Sequence, residues 1–280
     1  MENAMSDQGW DIRLENMRVG YGSTVVLSDI NALFPAGKIS VILGGSGCGK
    51  STLLRHIAGL SRPLAGRTLV GGQDLFALPP REFCRLRRHM GMLFQDGALL
   101  GALTLAQNVA LPLVEHTKLP STAINAAALR CLALVGLQDF GAFFPAQLSG
   151  GMRKRAGLAR AIITEPRILL CDEPTSGLDP INAARMDRLL QDMQAHYPDM
   201  SLIVVSHDLA SLAGIAEHIL VLHEGGAVFQ GSYADLIAVD DAYLQCFLRR
   251  QSPKDEHRQT DGAGLPDPDV RAALHRWLDN

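Results

Sequence analysis

The chain has 280 residues, of which 47% are hydrophobic and 20% charged, and its formal net charge is −3. This length allows one large domain or two small ones, and the composition is that of an ordinary folded protein. The slightly negative balance excludes a general electrostatic attraction to nucleic acid or anionic lipid, so we expect no nucleic-acid partner.

The sequence shows no signal for export or for crossing a membrane. The cysteines lack C-x-x-C spacing, which favours a reducing compartment over a disulfide framework or a zinc site. Residues 1–10 contain no basic segment followed by an apolar stretch, so we predict no secretory signal. The most apolar long window, 98–114, is interrupted by polar residues and Pro112, which argues against a membrane span. We therefore expect a cytosolic chain that needs a partner for any work at a membrane.

Three strands are predicted in the N-terminal segment. Asp11 to Val19 alternates roughly between polar and apolar residues, as a half-buried strand does, and Val25 to Phe34 has a second strand pattern. Ile39 to Leu43 lacks charge and is mostly apolar, which predicts a buried strand. Tyr21, beside the first strand, could stack on an adenine base, although a tyrosine at a strand end more often only packs.

A glycine-rich loop, residues 44–52, follows the third strand and leads into a helical pattern. It matches G-x-x-x-x-G-K-[ST], the phosphate-binding loop, and a plain glycine turn is the less favoured alternative. The glycines at 44, 45, 47 and 49 allow positive φ angles, so that successive amides can point at one anion. Lys50 can reach the outer phosphates, and the Ser51 hydroxyl can ligate magnesium. The residues assigned to nucleotide binding are Gly44, Gly45, Ser46, Gly47, Cys48, Gly49, Lys50, Ser51 and Thr52.

The middle of the chain is predicted to be mainly helical. A strand, a turn and a loop at 69–78 precede a short helix from Pro79 to His89, which carries several arginines. In a chain of net negative charge, such a cluster is more typical of a solvated face than of a nucleic-acid site. After a short apolar strand from Met90 to Phe94, residues 99–163 have helical patterns and predict a helical insert between two strands.

The last part of the chain returns to strands. Ile168 to Cys171 and Leu202 to Val205 are short buried-strand runs. Ile219 to Leu222 and Ala227 to Gln230 predict a hairpin, and Tyr233 to Arg249 predicts a helix. Strands that alternate with helices predict an α/β fold with a mostly parallel sheet.

Five polar side chains fall at or just after the carboxyl ends of these strands, where parallel sheets bind their ligands. They are Lys50, Gln95, Asp172, Glu173 and His207. Hydrolysis of a terminal phosphoanhydride needs charge neutralisation and a positioned water. Asp172 could hold magnesium opposite Ser51, and Glu173 could act as the general base. His207 could contact the γ-phosphate, and Gln95 could contact both the metal and the water.

The segment Leu148-Ser149-Gly150-Gly151-Met152, followed by a basic helix, resembles the signature motif of ATP-binding cassette (ABC) ATPases. The family's other motifs stand in the family's order: Tyr21, the phosphate loop, Gln95, Leu169 to Glu173, Ser176 to Asp179 and His207. The resemblance covers residues 11–249. It implies a P-loop NTPase fold with a mostly parallel RecA-like core sheet, an N-terminal antiparallel β subdomain and a helical subdomain at about 98–163. It also implies ATP hydrolysis with Mg²⁺.

The resemblance further implies a head-to-tail dimer of two copies that encloses two ATP molecules. Ser149 is a good N-cap residue for the helix after it, which makes a second anion-binding helix start. In the family, Ser149, Gly150 and Gly151 would address the nucleotide of the partner chain. Asp179 would lie at the seam of the dimer and link the two sites.

The branch of the family is indicated by residues 94–113. The sequence shows one cassette and no fused membrane domain, heptad insertion or paired cysteines. Among the branches of the family, this favours a separate motor subunit of a transporter or a regulator of the cell envelope. Residues 94–113 resemble the ATPases of Mla-type phospholipid transport systems, which work with MCE-domain proteins, apart from Leu100 for Phe and Gln107 for Glu. The region Gln95 to Leu105 would receive a coupling helix from an integral membrane permease. The apolar residues assigned to that groove are Leu99, Leu100, Leu103 and Leu105, which could instead fill the helical core.

The expected function is that of an ATP-hydrolysing motor for intermembrane phospholipid transport, which maintains the lipid asymmetry of an outer membrane. The chain would act as a peripheral protein on the cytoplasmic face of the inner membrane. One alternative is a motor for another substrate, such as an amino acid or a released lipoprotein. A second alternative is a division-type regulator of cell-wall hydrolysis that transports nothing.

The C-terminal tail, 250–280, is predicted to be a flexible linker and a short amphipathic helix. Residues 251–264 are polar and rich in charge, and Asp267-Pro268 is a typical helix start. An apolar face comes from Val270, Ala273, Leu274, Trp277 and Leu278. Because a helix this short is marginal alone, we expect it to pack on the partner ATPase, with a frayed terminus as the alternative.

Overall fold

The smaller of two sheets is antiparallel and comes from the N-terminal segment. The structure, a computed structural model, describes residues 10–207 and 215–248. The strands of this sheet are β1 (Ile12–Tyr21), β2 (Thr24–Phe34), β4 (Ala65–Val70) and β5 (Gln73–Asp74), in the order β2-β1-β4-β5. The predicted N-terminal antiparallel unit is confirmed.

The larger sheet is almost entirely parallel. Its strands are β3 (Ile39–Gly44), β6 (Met90–Leu93), β7 (Ile168–Asp172), β8 (Ser201–Val205), β9 (His218–His223) and β10 (Gly226–Gly231). They lie in the order β10-β9-β3-β8-β7-β6, and the one antiparallel pair is the predicted hairpin of β9 and β10. The carboxyl ends of β3, β8, β7 and β6 therefore lie side by side along one edge.

The first helix, α1 (Lys50–Ile57), lies between the two sheets. Its apolar residues Leu53, Leu54 and Ile57 are fully buried in one core with alternating residues of β1 and with residues of β3, β7 and β8. Burial of each such side chain contributes on the order of 1.5–3 kcal/mol. This packing holds the start of α1, and the loop before it, at the carboxyl edge of β3.

The remaining helices divide between the sheet and a helical cluster. Helices α3, α4 and α5 pack together, and α5 also packs on β6. The bounds are α2 (Pro80–Arg87), α3 (Leu105–His116), α4 (Ser121–Leu134), α5 (Gly150–Ile162), α6 (Pro180–His196), α7 (Tyr233–Ala238) and α8 (Ala242–Leu248). Within the described ranges, no helix is both long and apolar enough to cross a bilayer.

Two sequence expectations differ from the structure, and one helix was not predicted. The range 99–104 is a loop, since Asn108 uses its side-chain amide to donate to the carbonyls of Leu100, Leu103 and Thr104. The predicted helix from 233 to 249 is two helices, because the Asp241 carboxylate accepts the Leu244 N–H and starts a new one. Helix α6 was not located from the pattern. The predicted tail helix and linker, 250–280, lie outside the described residues.

Candidate functional site

The phosphate loop exposes unpaired backbone donors. Gly47 and Gly49 have φ angles of 77° and 100°, and a side chain at Gly49 would meet Val26 at 2.8 Å. Gly44 also has positive φ, whereas Gly45 does not, so the expectation of a positive φ is wrong for Gly45. Within the described chain, the amides of Ser46, Gly47 and Gly49 donate to no protein atom. An open row of N–H groups at the start of α1 suits a phosphate chain.

Lys50 is buried at the base of this loop. Its side chain is 4% exposed, and its Nζ donates to the carbonyls of Gly44 at 2.9 Å and Gly45 at 2.8 Å. The ammonium also lies 4.0 Å from Oε1 of Glu173. The first turn of α1 contains no acidic residue that would compete with an anion. The loop therefore gathers a cationic side chain, free amides and a helix start at one point.

Ser51 and Asp172 meet at the same edge of the sheet. The Ser51 hydroxyl donates to Oδ1 of Asp172 at 2.7 Å. Burial, and then the charge of Glu173, raise the pKa of the Asp172 carboxyl above its usual range, against the lowering effect of the Ser51 hydrogen bond. A hydroxyl and a buried carboxylate are oxygen ligands of the kind Mg²⁺ prefers, and a cation there would offset the cost of that buried charge. The residues present therefore fit the expected metal.

Glu173 and His207 complete the cluster. Oε2 of Glu173 lies 3.4 Å from Nδ1 of His207, which is more than half exposed, while its Oε1 faces Lys50. The predicted convergence of Lys50, Asp172, Glu173 and His207 is therefore seen in the distances. Gln95 follows β6, the neighbour of β7, so it lies on the same edge; its side chain is exposed and forms no hydrogen bond to the cluster in the described chain.

Tyr21 stands beside the loop. Its ring is 51% exposed, and its hydroxyl lies 3.1 Å from Oγ1 of Thr52 in α1. One end of the tyrosine is thus tied to the helix behind the phosphate loop, and a face of the ring remains open. This arrangement is compatible with the predicted stacking against a base.

The signature segment forms the start of α5. The Ser149 hydroxyl accepts the Met152 N–H at 3.3 Å, so the predicted N-cap is present. Ser149 and Gly150 are exposed, and no hydrogen bond joins residues 149–151 to residues 44–52 of the described chain. A side chain built at Gly151 would touch Leu178, next to Asp179. The signature and the predicted seam residue therefore share one surface.

Asp179 has a local role that sequence reasoning missed. Its carboxylate accepts the N–H groups of Ile181 and Asn182 at 3.1 Å each and caps α6. The Asn182 side chain donates to it as well, and these hydrogen bonds lower the pKa of the Asp179 carboxyl. The Asp179-Pro180 pair is a typical helix start and was the available signal.

Comparison with known proteins decides the family. The family model described as ABC transporter matches residues 27–176, the stretch that contains the phosphate loop, the signature and the end of β7. The chain belongs to the ABC transporter family. This cassette therefore binds ATP, and its enzymatic activity is ATP hydrolysis.

Named relatives and a solved structure are consistent with this assignment. The intermembrane phospholipid transport system ATP-binding protein MlaF of Escherichia coli K12 is 38% identical over 227 residues, which are 81% of this chain and 84% of MlaF. The probable ribonucleotide transport ATP-binding protein mkl of Mycobacterium tuberculosis H37Rv is 38% identical over 259 residues, 92% of this chain and 72% of mkl. A dimeric ATP-binding cassette in a post-hydrolysis state, bound to ADP and Pi, superposes with a TM-score of 0.73 at 30% identity, covering 79% of this chain and 98% of that chain.

The cassette also carries a surface groove of about 790 Å³. Its lining includes Arg87 and Arg88 at the end of α2, Phe94 beyond β6, and Leu111 and Glu115 of α3. None of the four leucines assigned to a permease groove lines it, and Leu105 is fully buried in the core, so that assignment is wrong for Leu105.

Leu105 lies in the first turn of α3, and this turn is capped by Thr104 and Gln107, which form a capping box. Gln serves such a box as well as Glu does, which accounts for Gln107.

Proposed function

We propose that this cassette is the motor subunit of an intermembrane phospholipid transporter. It would act at the cytoplasmic face of an inner membrane, bound to permease subunits that work with an MCE-domain protein. The observation that carries this proposal is the match to MlaF, which extends over 84% of that protein at 38% identity. The resemblance of residues 94–113 to the same branch supports it independently of overall identity.

Nucleotide binding would use the cluster at the sheet edge. The unpaired amides of Ser46, Gly47 and Gly49 receive the phosphate oxygens, and Lys50 exchanges its two carbonyl partners for the β- and γ-phosphates. Tyr21 stacks on the base. Ser51 and Asp172 would hold a Mg²⁺ ion, which when bound would neutralise phosphate charge. Gln95, which follows the neighbouring strand β6, is proposed as a further ligand.

Hydrolysis would depend on Glu173. Its carboxylate accepts a proton from a water molecule, the water oxygen forms a bond to the γ-phosphorus, and the bond to the bridging oxygen breaks to leave ADP and phosphate. His207, 3.4 Å from the same carboxylate, holds the γ-phosphate and orients Glu173. Lys50 stabilises the charge on the transferred group.

A second copy would complete each site. Ser149, Gly150 and Gly151 present a capped, exposed helix start with no anion partner in the described part of their own chain. In a head-to-tail dimer this start faces the γ-phosphate held by the partner's loop, and the adjacent Asp179 lies at the seam. The solved structure of the related cassette is dimeric, which supports the action of two copies together.

The base assignment is tested by Glu173→Gln in the full chain. We expect ATP to bind with near-normal affinity, while kcat falls by about 10²–10⁴-fold, because general base catalysis contributes this much. The matched control is Glu165→Gln, an exposed glutamate outside the cluster. Near-normal turnover in Glu173→Gln would remove Glu173 from this role.

The transporter assignment is tested by purification of the tagged complex from membranes. We expect a permease and an MCE-domain protein to co-purify. We also propose that the permease segment binds in the surface groove lined by Phe94 and Leu111. Leu111→Glu should then abolish this association, because a charge would be buried against that segment. Val114→Glu on the same helix is the matched control, since Val114 is 55% exposed and outside the groove lining, and it should retain the partners.

A second candidate is a transporter motor for another substrate. It is favoured by the equal identity to mkl, which is named a probable ribonucleotide transport protein. Co-purification of a permease with a soluble-substrate receptor and without an MCE-domain protein would support this candidate and contradict the first.

A further inference from the structure

The backbone of Glu173 has an unusual conformation. Its φ angle is 46°, in the left-handed region that a residue with a β-carbon rarely adopts. Such a conformation persists only where surrounding contacts overdetermine it, and these conformations cluster at functional sites. The Glu173 N–H donates to the Val205 carbonyl at 3.0 Å, and the Glu173 carbonyl accepts the Ser176 N–H at 3.2 Å.

A third contact to this strained peptide comes from a different element. Lys154, in the second turn of α5, is buried, and its Nζ donates to the Glu173 carbonyl at 3.0 Å. The same ammonium donates to the carbonyl of Ser176 at 2.6 Å and to its hydroxyl at 3.1 Å. All three donors of the ammonium are therefore used on the loop that begins with Glu173.

The charge of Lys154 suits this position. Burial lowers the pKa of the Lys154 ammonium, while the carboxylates of Asp96, Glu173 and Asp172 act against that shift. A buried amine that only filled space would be costly unless it were fully hydrogen-bonded. Here its donors fix the two carbonyls that flank the turn from Glu173 to Ser176, so its contacts act on the residue whose side chain lies between Lys50 and His207.

We propose that Lys154 is a positioning residue for Glu173, which locks the strained Glu173 peptide so that its carboxylate stays aimed at the phosphate loop. This inference rests on the proposed role of Glu173 as the base. Lys154 belongs to the same helix as the signature start, one turn after Ser149 to Gly151. Contact between that helix start and the nucleotide of a partner chain would therefore be transmitted to Glu173, the base of the chain's own site, through α5 and the Lys154 side chain.

The test is Lys154→Met in the full chain, measured by steady-state ATPase activity and ATP affinity. Methionine keeps the length and apolar stem but donates no hydrogen bond. We expect kcat to fall by about 10- to 100-fold, because a small misplacement of a reacting group has this effect, while the Kd for ATP stays within about 3-fold. A kcat within about 2-fold of wild type would overturn the proposal.

The matched control is Arg155→Met, the next residue on α5. Arg155 also donates to backbone carbonyls, those of Val135 at 2.7 Å and Gly136 at 3.2 Å, but these lie at the end of α4, away from the cluster. It should lower the melting temperature and leave kcat unchanged. An equal loss of kcat in both variants would show that general loosening of α5 is the cause, and would overturn the specific role of Lys154.

Two further variants separate this inference from the proposed function. Lys154→Arg keeps N–H donors and should therefore have a higher kcat than Lys154→Met. A kcat no higher than that of Lys154→Met would overturn the proposal. If Lys154→Met does not fold, Lys154→Arg serves as the test, and a kcat within about 2-fold of wild type is the result expected of a variant that keeps the donors. In a Glu173→Gln background, Lys154→Met should cause no further loss, since both act through one group. A fully additive loss overturns the role of Lys154. High activity of Glu173→Gln alone would instead contradict the proposed base.

Discussion

Helices α1 and α5 begin in the same way and end up in opposite surroundings. Glycine lies at each start, as the N-cap Gly49 of α1 and as the first residues Gly150 and Gly151 of α5, and neither helix has an acidic residue in its first turn. At the start of α1, Lys50 is buried with carbonyl partners, and Ser51 is bonded to Asp172 from β7. At the start of α5, Ser149 is exposed, and within the described residues it forms hydrogen bonds only to its own helix. Two helix starts of similar local chemistry thus differ in the side chains that surround them.

This difference teaches that a glycine-rich helix start does not by itself make an enclosed site. The α1 start is enclosed by side chains from three other strands of the same chain. The α5 start has the dipole and the cap but lacks such an enclosure within the described residues. The simplest completion is the phosphate loop of a second copy, and each prediction below sets one helix start against the other.

The largest effect is expected from mixing two inactive chains, Lys50→Ala and Ser149→Arg, in the Glu173→Gln background. Lys50→Ala should bind ATP about 10- to 100-fold more weakly, since a hydrogen bond to a charged group contributes about 1.5–3 kcal/mol. Ser149→Arg should prevent the two chains from closing around ATP, because the larger side chain would occupy the space between the signature and the partner's nucleotide. In the mixture, random pairing should restore about a quarter of the sites, because a mixed dimer has one intact composite site. The measurement is labelled ATP retained by dimers.

The matched control for the mixture is Lys50→Ala combined with Ser149→Arg in one chain, mixed with Lys50→Ala. That mixture contains no wild-type phosphate loop and should retain no ATP above the separate variants. If the first mixture also retained no ATP, the signature would not complete the partner's site, and the proposed two-chain site would be wrong.

A moderate effect is expected from Asp172→Asn at the α1 start. The pKa of Asp172 is raised, so protonation favours the folded state, and stability is lost as the pH rises through the usual and then the raised value. Asparagine avoids this loss and can still accept from Ser51. At neutral pH the free energy of unfolding of the nucleotide-free variant should rise by about 1 kcal/mol, which raises the melting temperature of a chain of this size by a few degrees. Its ATPase activity should fall.

The control for this prediction is Asp192→Asn, an exposed aspartate of α6. It should change neither the melting temperature nor the activity. The gain of Asp172→Asn should vanish at acid pH, where both side chains are neutral. A melting temperature below that of the wild type at neutral pH would contradict the cost assigned to the buried carboxylate.

The smallest effect is expected from Ser149→Ala, compared with Thr104→Ala. Both remove an N-cap hydroxyl, at α5 and at α3, and each should lower the free energy of unfolding by about 1 kcal/mol. Only Ser149→Ala should also weaken ATP-driven dimerisation of the isolated chain, measured by light scattering. Equal dimerisation of the two variants would restrict Ser149 to a capping role.

Patterns that depend on neighbouring residues were predictable from the sequence. The strand runs, the phosphate loop and the Ser149 cap follow from period, glycine placement and cap chemistry. Long-range contacts were predictable only where topology forces them. Because β3, β7 and β8 are parallel neighbours, Lys50, Asp172 and Glu173 had to meet at one edge. Leu105 shows what could not be predicted, since the sequence does not distinguish an apolar residue that lines a groove from one that fills a core.

The sequence by itself determined the family, the phosphate loop and the order of the strands, because these reside in short motifs whose geometry is local. Only the tertiary structure decided that Glu173 is held at a positive φ by Lys154 from α5, and that the α5 start is left open. The sequence of a basic run does not indicate whether a lysine in it is a buried hydrogen-bond donor or a solvated charge. That distinction depends on which carbonyls the packed helix places within 3 Å of its ammonium.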